Sequence, residues 1–174
     1  MDPSPKRGLE RHYGDRKPIN AAVAEVFAYI DDHARLSSHM NKPSWMMGGG
    51  RMNTSVDEGN GQRVGSHIRM HGKVLGIKLF LDEVVTRREP PLLKIWETIG
   101  ELTLFIIGHY RMGIELEPQA SNSILHVFID YDLPITNAWL GQLFGGIYAK
   151  WCVQRMLRDT QAHFANFREG NLDE

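Results

Sequence analysis

The sequence predicts an α+β fold in which one curved antiparallel sheet of about seven strands wraps around a long C-terminal helix. Three observations predict it. From Trp45 to Leu133 apolar and polar residues alternate with a period of two, cut at intervals by Gly/Asn/Asp/Pro clusters. Before and after this stretch the apolar residues recur with helical spacing instead. The connections between consecutive strands are short, which allows antiparallel pairing only, because parallel neighbours need a long crossover.

Residues 1–8, rich in Pro and charge, predict a flexible tail, and 9–169 a single domain. Residues 9–20 read as a first strand ending at Pro18-Ile19-Asn20. Asn20 stands where a helix N-cap belongs, ahead of AAVAEVFAYI, whose Val23, Val26, Phe27 and Ile30 fall on one face. DDHARLSSHM predicts a second short helix, so two short helices follow strand one. Six strands are then expected at 45–56, 62–74, 76–88, 92–98, 102–116 and 122–133, with breaks at EGNG, GKVLG, EPP, GE and PQASN.

Within these strands the phases are readable. Ile68, Met70 and Val74 alternate with His67, Arg69, His71 and Lys73. Tyr110, Met112, Ile114 and Leu116 oppose His109, Arg111 and Glu115, and Leu125, Val127, Ile129 and Tyr131 oppose His126, Asp130 and Asp132. Such sheets have one buried and one wet face, so His67, Arg69, His71, His109 and Arg111 should face solvent or a partner subunit. The last element is a helix over 136–168, about 45–50 Å long at 1.5 Å per residue.

Composition narrows the function. The formal charge of −1 offers no basic excess for nucleic acid. No apolar run reaches the roughly 20 residues of a membrane span, and the polar N-terminal stretch lacks the apolar centre of a secretory signal. The single cysteine, Cys152, excludes an intrachain disulfide, and these features together predict a cytoplasmic protein, monomer or homodimer.

INAAVAEVFAYIDD, VVTRREPPLLKIWE, and IDYDLP followed by the long helix, in this order and spacing, resemble the START-like or SRPBCC superfamily. The middle stretch is similar to a passage of its polyketide-cyclase-like members, and the resemblance covers about residues 15–168. It implies a helix-grip fold and a function in binding a small hydrophobic molecule, lipid-like or aromatic, as carrier or sensor. The members also include polyketide cyclase/aromatase enzymes, so a cyclase- or dehydratase-like activity in the same cavity is the alternative, and fold alone does not choose.

The helix GQLFGGIYAKWCVQRML sets Gly145 and Gly146 among Phe144, Tyr148 and Trp151. One reading is a close approach of backbones beside a hollow walled by the aromatics; the other is a kink in a solid core. On the first reading, an elongated cavity is lined by Met70, Trp96, Tyr110, Met112, Tyr131, Phe144, Tyr148 and Trp151, with access near 45–52. Tyr110 and Tyr131 carry hydroxyls on buried phases and need partners. Trp96 and Glu97 must point to opposite faces, and Glu97, if inward, is a buried acid; Glu97, Tyr110 and Tyr131 are therefore the candidate catalytic groups.

Other candidates carry less. His67 and His71 lie about 13 Å apart along a strand, too far to share one ion without a bulge. A third ligand such as His109 or His126 would have to arrive from another strand, so solvated outer-face histidines are the preferred reading. Cys152 has no histidine beside it, since His163 is about 16 Å further along the helix. GGGR at 48–51 lacks the strand–turn–helix context of a phosphate loop. No metal and no cofactor is assigned. A third possibility is an interaction module that presents Phe105, Ile107 and Phe128 as an exposed patch.

Overall fold

The structure, a computed structural model, describes residues 9–32, 51–74 and 77–169. The expected tail, the second short helix, the GGGR loop and the start of the 45–56 strand lie outside the described residues. The elements are β1 (Arg11–Ile19), α1 (Val23–Ile30), β2 (Arg51–Val56), β3 (His67–Val74), β4 (Ile77–Glu89), β5 (Leu93–Thr103), β6 (Tyr110–Gln119), β7 (Asn122–Tyr131) and α2 (Ala138–Glu169). The seven strands form one sheet in the order β1-β7-β6-β5-β4-β3-β2, with every neighbouring pair antiparallel. β1 reaches the far edge by pairing with β7, and α2 lies against these two strands.

The helix α1 starts two residues later than its Asn20 signal predicts. Ala22 takes the N-cap position with extended backbone, and the Glu25 carboxylate accepts the Ala22 N–H at 3.0 Å. A side chain from the third helical position reaching back thus does the work expected of Asn20. Val26, Phe27 and Ile30 are buried as their spacing requires, each worth about 1.5–3 kcal/mol over exposure.

The 102–116 strand divides differently from expectation. β5 continues through Gly100, which adopts φ +66°, to Thr103, and β6 begins only at Tyr110. Between them 104–109 is a loop tied to the end of β7: Gly108 N–H donates to the Asp132 carbonyl and Asp132 N–H to that of His109, both at 2.8 Å. LFIIG is an apolar run of strand-like composition, but α2 needs this backbone close beneath it. A Cβ on Gly145 would lie 3.2 Å from the Ile106 carbonyl oxygen, and one on Gly141 3.1 Å from the same atom and 2.4 Å from Pro134 Cδ. The close approach predicted for the glycine helix is therefore real, and Gly141 serves it as much as Gly145. Gly146 does not, since the nearest atom to its Cβ position is Tyr131 Oη at 3.7 Å.

The core is the concave face of the sheet plus one face of α2. Ala149, Cys152, Val153, Met156, Leu157 and Thr160 are buried at helical spacing. Opposite them stand Ile68, Met70, Leu81, Val85, Trp96, Tyr110, Met112, Val127, Ile129 and Tyr131.

Candidate functional site

The inner face carries an acid among its apolar neighbours. In β4, Leu79, Leu81, Glu83 and Val85 share the inward phase, and Glu83 is 1 % exposed. Tyr110 of β6 points the same way and donates its hydroxyl to Glu83 Oε1 at 2.5 Å. From α2, Tyr148 hydrogen-bonds through its hydroxyl to the Cys152 sulfur. The field of Glu83 reaches all three partners. Burial, then the Glu83 carboxylate, pushes the Tyr110 phenol well above its ordinary value. Burial, then the Cys152 contact, does the same to Tyr148. Burial also pushes the Cys152 thiol up to about 12, against the lowering effect of the Tyr148 hydrogen bond. These groups therefore keep their protons at neutral pH and act as hydrogen-bond donors rather than nucleophiles.

The expected lining residues divide into three. Met70, Trp96, Tyr110, Met112 and Tyr131 are buried on the concave face. Tyr148 and Trp151 are partly buried on α2 with ring centroids 5.9 Å apart. Phe144 is 42 % exposed and stands apart from them. The Tyr131 ring occupies the space left by the glycines, with Cε2 3.4 Å from a Cβ position on Gly145. It neighbours Tyr110 across the β6–β7 pair.

Trp96 takes the inner face at 2 % exposure, so Glu97 points outward, in register with Arg111 of β6. The condition attached to Glu97 as a buried acid is not met; Glu83 is the buried acid. The signal for it was present in the sequence, in the single acidic residue on the apolar phase of LFLDEVV.

A second buried polar group lies at the end of α1. Lys94, fully buried, donates from Nζ to the Asp31 carbonyl at 2.8 Å and sits 3.1 Å from its Oδ1. Arg88 donates to the same carboxylate from Nη2 at 2.7 Å and from Nε at 3.2 Å. Burial pushes Asp31 up, but the Arg88 hydrogen bond and the Lys94 charge outweigh it and hold the carboxyl below its ordinary value. Burial lowers Lys94, and Asp31 offsets only part of that. Two cations at a helix C-terminus complement its dipole, so this cluster ties α1 to β4 and β5.

On the convex face, Asp82 pairs with His67 at 3.1 Å and Arg69 at 3.2 Å, while Asp130 pairs with His12 at 2.6 Å and Arg111 at 2.8 Å. His71 is exposed, and His109, partly buried, lies 3.2 Å from Thr98 Oγ1. Among the described residues no three His, Cys, Asp or Glu side chains are grouped to hold a metal. Phe105, Ile107 and Phe128 do not make the expected patch. Ile107 is 3 % exposed because the 104–109 loop turns it inward, and Phe105 packs partly buried against the core. The Phe128 ring covers Gly113 on the outer face, between His12 and His126.

The sequence matches the family model described as polyketide cyclase / dehydrase and lipid transport over residues 13–166. The chain belongs to that family. Among solved structures, it is similar to the ZhuI aromatase/cyclase from a Streptomyces species (12 % identity, TM-score 0.63, covering 89 % of this chain and 93 % of that one). Ara h 8.0201 matches at 12 % identity and TM-score 0.60, over 90 % and 98 % of the two chains. A protein from Arthrobacter aurescens matches at 14 % identity and TM-score 0.61, over 88 % and 86 %. At these identities the likeness is one of fold. No curated protein sequence matches the chain.

Proposed function

We propose that this family member binds a small, mostly apolar molecule between α2 and the concave face of the sheet, as a carrier or sensor. The observation that carries this reading is the Glu83–Tyr110 pair, set with Tyr148 and Cys152 inside a mostly apolar wall. A core built only for stability gains little from a buried acid, because its desolvation costs more than apolar packing in the same place. A binding site needs such a group, since apolar walls supply affinity and a few placed polar atoms supply orientation. Met70 and Met112 add side chains that adapt to varied shapes. The ligand's apolar body lies along Met70, Trp96 and Met112, and its hydroxyl or carbonyl end meets Tyr110 or Tyr148.

Titration of the folded protein with apolar fluorophores and fatty acids tests this. Wild type binds, Tyr110→Phe and Glu83→Gln bind at least several-fold more weakly while melting cooperatively, and Trp151→Ala weakens binding from the helix side. If folded wild type binds none of the probes, or these variants bind as well as it does, the reading fails.

The 2.5 Å hydrogen bond from Tyr110 to Glu83 supports a second reading, a cyclase- or dehydratase-like enzyme. Glu83 would take a proton from the carbon beside a ketone while Tyr110 gives its own to the ketone oxygen, and the proton held by Glu83 would then pass back to Tyr110. Turnover of a linear poly-ketone that Glu83→Gln abolishes, with binding retained, would establish it. Binding without turnover leaves the carrier.

A further inference from the structure

The first turns of α2 and the segment just before them present large apolar side chains to solvent. Ile135 is 93 % exposed, Trp139 65 %, Leu143 60 % and Ile147 56 %. They recur every four residues, so the three on α2 form a ridge along one side of the helix about 12 Å long. None of them supports the core at this end, where the helix is seated through Gly141 and Gly145.

Two properties of this ridge identify its occupant. Residues 133–149 contain no Asp, Glu, Lys, Arg or His, and neither do residues 102–108 of the adjoining strand end and loop. The first charge along the helix is Lys150, exposed one turn beyond Ile147. The second is its size. A stable dimer buries about 800 Å² and 20–30 residues per partner, whereas a handful of side chains on one ridge supplies a few hundred Å². A lipid surface asks for no such area and no matched shape. It takes up an uncharged apolar ridge to a depth of about 5–10 Å, with Trp settling at the headgroup level. No helix of the described residues is long and apolar enough to cross a membrane, so the contact lies on the surface.

We propose that this end of the molecule docks on a phospholipid bilayer through Ile135, Trp139, Leu143 and Ile147. Because no cation stands within the ridge, docking depends on apolar insertion and not on lipid charge. The proposal is independent of what the interior binds.

Vesicle flotation tests it. The full chain floats with phosphatidylcholine vesicles, binds phosphatidylserine-containing vesicles to a similar extent, and is not released by salt. Leu143→Glu and Ile147→Glu each lower the partition by about tenfold or more, since each loses the burial of a whole apolar side chain. Both variants keep the wild-type melting temperature, because the substituted positions are exposed. Trp139→Phe retains most of the binding. Three results overturn the proposal: wild type that stays with the buffer, association confined to anionic vesicles and reversed by salt, or Leu143→Glu floating as well as wild type. A wild-type dimer in solution that Leu143→Glu converts to monomer assigns the ridge to a second copy and also overturns it.

Discussion

From Ala149 to Thr160, α2 buries Ala149, Cys152, Val153, Met156, Leu157 and Thr160 and leaves Lys150, Arg155 and Arg158 outside. From Ala138 to Tyr148, the same helix buries Gly141 and Gly145 and leaves Trp139, Leu143 and Ile147 outside. One helix therefore meets one sheet in two ways. Along the second stretch apolar side chains fill the gap between backbones. Along the first the gap is closed by removing side chains, so that the Ile106 carbonyl, Pro134 and the Tyr131 ring reach the helix directly. Seating by glycine frees the bulky residues on that segment from the core. The segment boundary falls at Tyr148–Cys152, where the helix meets the Glu83–Tyr110 pair.

The side-chain-packed stretch carries the largest share of the stability. Leu157→Ala, at a fully buried position, is expected to cost about 2–5 kcal/mol, read as a large fall in the denaturation midpoint. Alkali attacks the same region. The Cys152 thiol is held at about 12 in the fold against an ordinary 9.0. A raised value means the contribution is fully present below pH 9 and is lost as pH rises through 12. Stability measured by denaturant should fall across that window, and Cys152→Ala should flatten the fall. In the native state at pH 8 the thiol should react with a disulfide reagent only through unfolding.

The glycines of the first stretch are of two kinds. Gly141→Ala should destabilise by about 1–3 kcal/mol, because its Cβ would meet Pro134 Cδ at 2.4 Å. Helix propensity alone predicts a gain of about 1 kcal/mol, so the sign decides between packing and propensity. Gly146→Ala meets nothing closer than Tyr131 Oη at 3.7 Å and should stabilise by roughly 0.5–1 kcal/mol. Leu143→Gln should be the mildest change, within about 0.5 kcal/mol by thermal melting, although it removes a leucine from a helix.

Much of the site's frame was legible in the sequence and its centre was not. Period-two alternation put Met70, Tyr110, Met112 and Tyr131 on the buried phase, where they are. The strand holding Trp96 and Glu97 has apolar residues on both phases, so its facing waited on the register with β4 and β6. Phe144 reads as a wall residue because it sits beside the glycines, yet the glycine face and the aromatic side of those turns diverge by the 100° step of the helix. Glu83 reads as solvent-facing by its charge, and its burial is compensated by groups distant in sequence, among them Tyr110, 27 residues away, whose hydroxyl donates to it, and the Lys94 ammonium.

Local periodicity and turn chemistry encode the sheet's seven strands, their alternation, the short helix α1, the long helix α2 and their order along the chain. These follow from backbone geometry repeated over a few residues, which a side-chain pattern records directly. Tertiary structure alone decided the boundary between β5 and β6, the inward turn of Ile107, the Lys94–Asp31–Arg88 tie and the meeting of Glu83 with Tyr110. Each of these depends on a partner distant in sequence, brought within hydrogen-bond or van der Waals reach only when the sheet closes on α2. Such contacts are worth little until the sheet and helix are in place, so no local pattern records them.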